Sequence, residues 1–230
     1  MSLFVFPVIK LFKGKESAKP SRRVIKIAFA VFVKLMALVG VFKFDIKGKE
    51  VLAGDSACIV ISNHPTLIDY VVIASMLDNC DCVVKEKLWS NPFTMGVIRA
   101  AGYIPNRGSE EVIESCGRSL ESGSVLLVFP EGTRTTPGKP MTLQRGAANI
   151  ALRCAKPIRL IHICCEPSFL TKEDKRYKVP AEQPVFKLRV GGLMDVDELI
   201  EGASNPTIAA RRLTEKMKQE LSRDISQDVG

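Results

Sequence analysis

Short apolar runs alternate along the chain with segments in which apolar residues recur at helical spacing. Runs typical of buried strands lie near residues 42–47, 57–61, 81–85, 124–129, 157–163 and 185–190. Helical spacing is found at roughly residues 66–77, 86–99, 109–121, 142–155 and 205–224. Because strands that alternate with helices favour parallel pairing, the pattern predicts an α/β fold with a mixed, largely parallel sheet flanked by helices.

A polar stretch bounded by prolines, residues 166–184, interrupts this alternation. It predicts a long loop that is either mobile or engaged in contacts. A length of 230 residues suits one globular domain with an appendage. We therefore assign residues 46–230 to a single domain and residues 1–45 to a separate N-terminal segment.

The N-terminal segment contains nineteen largely apolar residues, 24–42, which two lysines interrupt. In a helix, Lys26 and Lys34 lie about 80° apart and therefore share one side. The other side carries Phe29, Phe32 and Leu35. Because a lysine near the centre of a spanning helix costs roughly 2.5–3.5 kcal/mol, the pattern favours a helix lying in the membrane interface. A core helix of the domain and a single spanning helix are the alternatives.

Charge is concentrated in the same region, since residues 1–50 hold eleven Lys and Arg against three Asp and Glu and so account for the net charge of +8. A basic, apolar N-terminus on a neutral body indicates an anionic membrane surface as partner rather than nucleic acid. Residues 3–12 add a second apolar stretch, and no signal-peptide cleavage pattern follows it. Seven cysteines without framework spacing indicate reduced thiols. We expect the protein at the cytoplasmic face of the inner membrane, attached peripherally or through one span.

A histidine and a carboxylate lie close together in residues 63–69, NHPTLID. Residues five apart within one helix point about 140° away from each other, so His64 and Asp69 cannot meet if both are helical. Pro65 disfavours the helical conformation at His64, and a helix that begins at Pro65 or Thr66 places Asp69 in its first turn. Asp69 can then hold one ring nitrogen of His64 and leave the other free as a base.

Structural roles are the alternatives for these residues. Thr66-x-x-Asp69 is also a capping-box pattern, and a capping role can coexist with a contact to His64. His64 can be a hydrogen-bonded structural histidine. The second histidine, His162, lies in an apolar run and is interpreted as structural.

A second polar motif, FPEGTR at residues 129–134, follows the apolar run at 124–129. It places an arginine on a loop that contains glycine, and a guanidinium can bind two oxygens of an anion. A surface ion pair of Arg134 with Glu131 is the alternative. Together the two motifs predict an enzyme that deprotonates a hydroxyl on an anionic substrate.

The two motifs, in this order and at this separation, resemble the glycerolipid acyltransferase family, whose best-known members are the 1-acylglycerol-3-phosphate acyltransferases. The resemblance covers roughly residues 55–165. It implies that His64 is the general base and that Asp69 orients it. It also implies an acceptor-binding set, which consists of Glu131, Gly132, Thr133 and Arg134, with Arg107 as a further phosphate contact.

Two departures from the family pattern concern the acceptor. Residues 102–107 read GYIPNR, in which Pro105 and Asn106 alter the family's second block. Residues 157–161 keep only the first of the two prolines of the fourth block. The altered second block is similar to acyltransferases of specialised bacterial lipid pathways, such as aryl polyene synthesis.

The resemblance implies transfer of a fatty acyl group from acyl-CoA or an acyl-carrier protein to a hydroxyl of a lysophospholipid such as 1-acylglycerol-3-phosphate, in phospholipid biosynthesis. The alternative is a specialised pathway with a glycolipid or other lysolipid acceptor. In this mechanism His64 takes the hydroxyl proton, and backbone amides near Gly132 stabilise the oxyanion. No metal, nucleotide or other cofactor is required.

Other classes of protein fit the motifs less well. A P-loop needs four residues between its glycines, whereas five separate Gly132 from Gly138, and Pro140 stands where Ser or Thr belongs. A serine hydrolase of the Gly-x-Ser-x-Gly type lacks its motif. A non-catalytic membrane adaptor uses only the N-terminus and leaves both motifs without a role.

Overall fold

The computed structural model describes residues 18–92, 94–107, 109–174, 179–196 and 205–222. The strands of this part are β1 (Lys43–Lys47), β2 (Ile59–Ser62), β3 (Cys80–Lys85), β4 (Ile104–Asn106), β5 (Val125–Val128), β6 (Ile158–Glu166) and β7 (Val185–Met194). The helices are α1 (Ala18–Leu38), α2 (Asp69–Ala74), α3 (Glu86–Trp89), α4 (Met95–Ala101), α5 (Ser109–Glu121), α6 (Gly146–Cys154) and α7 (Pro206–Leu221), with a short 3₁₀ helix at Lys49–Gly54.

The strands form one sheet in the order β1-β7-β6-β2-β5-β3-β4. Among the strands described, β6 and β7 are antiparallel, and the other neighbouring pairs are parallel. The predicted mixed, largely parallel sheet flanked by helices is therefore confirmed. Strand β2 lies at the centre and is buried along its whole length, so the chain that leaves its carboxyl end, residues 63–69, starts from the middle of the sheet.

Successive side chains of the central strands point to opposite faces of the sheet and divide the core into two layers. One layer, beneath α1 and α2, contains Val60, Val125 and Leu127. The other, beneath α5, α6 and α7, contains Ile59, Ile61 and Leu126. Because both faces are covered, these strands are apolar at almost every position, as parallel strands commonly are.

Three local predictions differ from the structure. The single helix expected at 86–99 is two short helices, α3 and α4, because Pro92 lacks the amide donor and disfavours a helical residue before it. Strand β4 was not predicted, since it has only three residues and contains Pro105, which an edge strand tolerates. The helix expected at 66–77 is shorter, and α2 begins at Asp69.

Helix α1 is fixed to the sheet by a buried ion pair. The Arg22 guanidinium lies 2.6 Å from the Asp81 carboxylate of β3, and both side chains are buried. The same arginine donates to the backbone oxygen of Ala101 at 2.8 Å. Burial raises the pKa of Asp81, and the charge of Arg22 opposes that shift. The inner face of α1 is therefore part of the core, while the division of the chain at residue 45 stays a prediction.

The outer face of α1 carries a row of exposed apolar side chains. Each of these side chains is between 46% and 83% exposed. The row consists of Ile27, Val31, Phe32, Leu35 and Leu38. Phe29 is not among them, because it packs edge-on against the ring of Tyr70 on the protein side. Lys26 also faces the protein and pairs with Asp78 at 2.7 Å. The apolar side predicted from residues 24–42 is thus correct for Phe32 and Leu35 and wrong for Phe29.

Within the residues described, none of the helices combines the length and apolar composition required to cross a bilayer. The second apolar stretch, residues 3–12, lies outside the described residues.

The predicted long loop, 166–184, makes contacts with the rest of the domain. Strand β6 extends to Glu166, and the described residues that follow it, 167–174 and 179–184, contain no helix or strand. Phe169 and Thr171 are buried. The Leu170 oxygen accepts a hydrogen bond from the Leu67 amide at 3.0 Å, which joins the loop to the segment between β2 and α2.

Candidate active site

His64 and Asp69 form a hydrogen-bonded pair just beyond the carboxyl end of β2. Nδ1 of His64 lies 2.7 Å from Oδ2 of Asp69, which confirms the predicted contact. Asp69 is fully buried, whereas 19% of the His64 side chain is exposed. Nε2 of His64 makes no hydrogen bond to any residue that the structure describes. With Nδ1–H donated to the carboxylate, Nε2 is the nitrogen that can accept a proton.

Asp69 is also part of the turn that begins α2. Its Oδ2 accepts from the Thr66 amide at 2.8 Å, and its Oδ1 accepts from the Thr66 hydroxyl at 2.5 Å. Thr66 and Asp69 therefore bond each other across the turn, but the capping-box pattern does not cap the helix, because α2 begins at Asp69 and its N-cap residue, Ile68, makes no side-chain cap hydrogen bond. Burial raises the pKa of Asp69, and the hydrogen bonds from His64 and Thr66 oppose that shift because they favour the charged carboxylate.

The second motif lies directly against His64. Strands β2 and β5 are parallel neighbours with Ile61 opposite Val128, so the segments that follow them meet at the same edge of the sheet. The ring of His64 stacks on that of Phe129, with centroids 4.2 Å apart and planes inclined by 22°. The His64 amide donates to Oε1 of Glu131 at 3.2 Å. The tertiary structure thus joins two motifs that are distant in sequence.

Gly132 forms the turn of this loop. Its φ of +66° is in the left-handed region that favours glycine. Its amide donates to the Phe129 oxygen at 3.0 Å, so this amide is not available to bind an oxyanion. The neighbouring amides of Thr133 and Arg134 make no hydrogen bond within the described ranges. They are the better candidates for binding an oxyanion, and Gly132 and Thr133 are both exposed.

Arg134 does not form the ion pair with Glu131 that was the alternative from the sequence. Its Nη1 donates to the backbone oxygens of Leu170 at 3.1 Å and Thr171 at 2.7 Å. Oε1 of Glu131 instead accepts from the Thr135 hydroxyl at 2.5 Å. Nε and Nη2 of Arg134 have no hydrogen-bond partner among the residues described, so part of the guanidinium remains available to an anion.

Arg107 is placed away from the pair. It follows β4, three strands from β2, which corresponds to about 14 Å at the usual strand spacing. Its Nε lies 3.3 Å from Oε1 of Glu86, and its guanidinium lies 6.0 Å from the Trp89 ring centre. The side chain is 43% exposed. Arg107 therefore lies at the same edge of the sheet as His64 without contacting it.

Two contributors to the site were not identified from the sequence. Asn63 donates from Nδ2 to the Ile163 oxygen and accepts from the Ile163 amide, both at 2.7 Å, and so joins the end of β2 to β6. The amide and the hydroxyl of Thr135 contact the backbone of His64. Asn63 is the first residue of the first motif and Thr135 follows the second, but neither side chain belongs to a sequence pattern that reveals its partner.

His162 lies away from this site. Its Nε2 is 2.7 Å from the backbone oxygen of Leu221 at the end of α7. This contact supports its interpretation as a structural histidine.

Known proteins are similar to this chain in sequence, and a solved structure is similar to it in fold. A 1-acyl-sn-glycerol-3-phosphate acyltransferase of Brassica napus chloroplasts is 26% identical over 134 residues, which are 54% of this chain and 39% of that protein. The 1-acyl-sn-glycerol-3-phosphate acyltransferase of Pseudomonas aeruginosa is 22% identical over 136 residues, 56% of this chain and 52% of that protein. The chain thus spans about half the length of these curated relatives, or less.

The solved structure of PlsC, the 1-acyl-sn-glycerophosphate acyltransferase of Thermotoga maritima, has the same fold, with a TM-score of 0.65 and 19% identity. The match covers 96% of this chain and 92% of that one. The family model described as Acyltransferase matches residues 43–165. Because that match covers more than half of the chain and includes both motifs, the resemblance is confirmed, and the chain belongs to the glycerolipid acyltransferases of the acyltransferase family.

Proposed function

We propose that this protein is an O-acyltransferase that moves a fatty acyl group from a thioester, acyl-CoA or acyl-carrier protein, to the hydroxyl of lysophosphatidic acid (1-acylglycerol-3-phosphate). The observation that carries the proposal is the 2.7 Å contact between Nδ1 of His64 and the buried Asp69 carboxylate, which leaves Nε2 without a hydrogen-bond partner among the residues described. The names of the relatives support the choice of acceptor.

In the proposed reaction, Nε2 of His64 takes the proton of the acceptor hydroxyl while the oxygen attacks the thioester carbonyl carbon. The tetrahedral intermediate carries an oxyanion, for which the free amides of Thr133 and Arg134 are the proposed donors. Collapse of the intermediate breaks the carbon–sulfur bond. The departing thiolate takes the proton back from His64, so the pair returns to its starting state. Asp69 stabilises the imidazolium that forms between the two proton transfers.

We assign the acceptor phosphate to the arginines at the carboxyl edge of the sheet. Arg134 lies on the loop that contacts His64, and two nitrogens of its guanidinium have no hydrogen-bond partner among the residues described. Arg107 is farther away and exposed, which suits a contact with a headgroup that extends from the hydroxyl under attack. A guanidinium binds phosphate through two parallel hydrogen bonds, so glutamine at either position weakens this contact.

The test of this function is a matrix of donors and acceptors with purified protein. Acyl-CoA and acyl-carrier protein are each paired with lysophosphatidic acid, a neutral monoacylglycerol and other lysolipids, and products are identified by mass spectrometry. We expect phosphatidic acid as the main product. Arg134→Gln and Arg107→Gln are expected to raise KM for lysophosphatidic acid with little change in KM for the donor. Exclusive transfer to another lysolipid supports the specialised pathway, and no transfer in any pairing contradicts the proposal.

We further propose that α1 holds the protein on the cytoplasmic face of the membrane, as a helix lying in the interface. Its outer face carries the exposed apolar row from Ile27 to Leu38, and Arg23 and Lys34 are exposed beside it. This combination of an apolar stripe with flanking positive charge suits an anionic surface. Because the Arg22–Asp81 ion pair fixes α1 to the sheet, a membrane bound to α1 has a defined orientation relative to His64.

Replacing Val31 and Leu35 together by glutamate is expected to lower binding to anionic vesicles by about tenfold or more, since each large apolar side chain contributes about 1.5–3 kcal/mol when buried. The measurement is co-sedimentation with vesicles that contain phosphatidylglycerol. The control is the pair Val51→Glu and Leu193→Glu, which adds the same charge at two exposed apolar residues elsewhere (44% and 51% exposed). Equal loss in both double variants would show that charge alone, and not the α1 face, governs binding.

A further inference from the structure

Thr135 holds the backbone of His64 at two points. The Thr135 amide donates to the His64 oxygen at 2.7 Å. The Thr135 hydroxyl accepts from the His64 amide at 3.1 Å and donates its only hydrogen to Oε1 of Glu131 at 2.5 Å. A hydroxyl has one donor and two acceptor sites. Both polar groups of the His64 backbone are therefore engaged by the residue that follows the Glu-Gly-Thr-Arg motif.

The sheet itself does not supply these bonds. The register of β2 on β6 ends with Ser62 opposite Ile161. Beyond it, the side chain of Asn63 occupies both the amide and the oxygen of Ile163. The backbone of His64 is thereby released from β6 and bonded to the segment after β5. Pro65, the next residue, has no amide to contribute.

We infer that Thr135 is a positioning residue for the general base, an inference that rests on the proposed function of His64. Asp69 fixes the ring at Nδ1, and Phe129 supports one face of it. Thr135 fixes the backbone from which the ring projects. Glu131 thus contributes to the position of His64 through its bonds to the His64 amide and the Thr135 hydroxyl, in addition to the acceptor-binding role that the family resemblance implies.

The decisive substitution is Thr135→Val, which keeps the branched shape and removes the hydroxyl. We expect kcat to fall by about tenfold to a hundredfold with KM for the acceptor little changed, because misplacement of a catalytic group by about 1 Å can cost about 10²-fold. Thr135→Ser keeps the hydroxyl and is expected to restore kcat to near the parent value. Thr136→Val is the matched control, since its side chain makes no hydrogen bond within the part of the chain described, and it should leave kcat unchanged.

A spectroscopic measurement separates this inference from the proposed function. The chain contains only two histidines, so imidazole NMR resolves His64 with His162 as an internal reference. In Thr135→Val we expect the ring resonances of His64 to shift while those of His162 stay in place, and Thr135→Ser should restore them. This comparison holds even if the parent protein transfers no acyl group to the acceptors tested.

Three results would overturn the inference. One is a parent-like kcat in folded Thr135→Val, and another is a rise confined to the acceptor KM, which would assign Thr135 to substrate binding. The third is an unchanged His64 spectrum in that variant. If valine at this position prevents folding, Thr135→Ala removes the same hydroxyl with less bulk, and the same three readouts apply to it.

Discussion

Replacement of His64 by alanine is expected to lower kcat for acyl transfer by about 10²–10⁴-fold, the usual contribution of a positioned general base. The partner carboxylate at 2.7 Å holds the ring by Nδ1, and Nε2 has no hydrogen-bond partner in the described part of the chain. Without the imidazole, the acceptor hydroxyl loses its proton acceptor, and the departing thiolate loses its proton donor. Binding of substrates through the arginines and of the membrane through α1 is expected to remain.

The measurement is the formation of phosphatidic acid at saturating donor and acceptor, with vesicle binding and the melting temperature recorded alongside. His162→Gln is the matched control, because it alters the only other histidine, which bonds the Leu221 oxygen away from the site. If kcat of His64→Ala is within a few-fold of the parent value, the proposed mechanism is wrong. Loss of vesicle binding in the same variant would indicate damage to the fold rather than to the chemistry.

Replacement of Asp69 by asparagine is expected to lower kcat by a similar factor, about 10²–10⁴-fold, for a different reason. The carboxylate accepts from the Thr66 amide, the Thr66 hydroxyl and Nδ1 of His64. An asparagine has one oxygen and one NH₂ group. If the NH₂ faces His64, Nδ1 must act as acceptor, so the proton moves to Nε2 and the base is lost. In the other orientation the pairing survives, but the charge that stabilises the imidazolium is missing.

Asp69→Asn is also expected to destabilise the fold by about 1–3 kcal/mol, the cost of a mismatched buried hydrogen bond. Thr66→Val separates the two roles of Asp69, since it removes the hydroxyl from the turn and leaves the carboxylate facing His64. It should therefore lower the melting temperature while reducing kcat far less than Asp69→Asn does. An equal loss of kcat in both variants, or parent-like turnover in Asp69→Asn, would contradict the assigned role of the carboxylate.

The sequence was sufficient for those parts of the fold that depend on local patterning. Six of the seven strands that the structure describes lie where apolar runs predicted them. The central ones, β2 and β5, are apolar along their length because both of their faces are covered. The exception, β4, is short and contains Pro105, and it is a strand only because β3 offers it an edge. Likewise, Pro92 separates α3 from α4, although the helical spacing of residues 86–99 predicted one continuous helix.

The contact between His64 and Asp69 could also be predicted, because five residues and one proline determine whether the two side chains can meet. The hydrogen-bond partners of the second motif, residues 129–134, could not be predicted. Arg134 bonds the oxygens of Leu170 and Thr171, which lie in a loop whose position depends on the rest of the fold.

Patterns among residues that are near one another along the chain were enough to predict the α/β alternation, the basic apolar N-terminus and the contact of His64 with Asp69. The folded arrangement was needed to show that the turn after β5 bonds the backbone of His64, that Arg107 lies three strands away, and that α1 has one face in the core and one apolar face exposed. Strand order and helix docking bring together residues that are distant in sequence. The sequence does not show which backbone amide, carbonyl or buried charge each of them will contact.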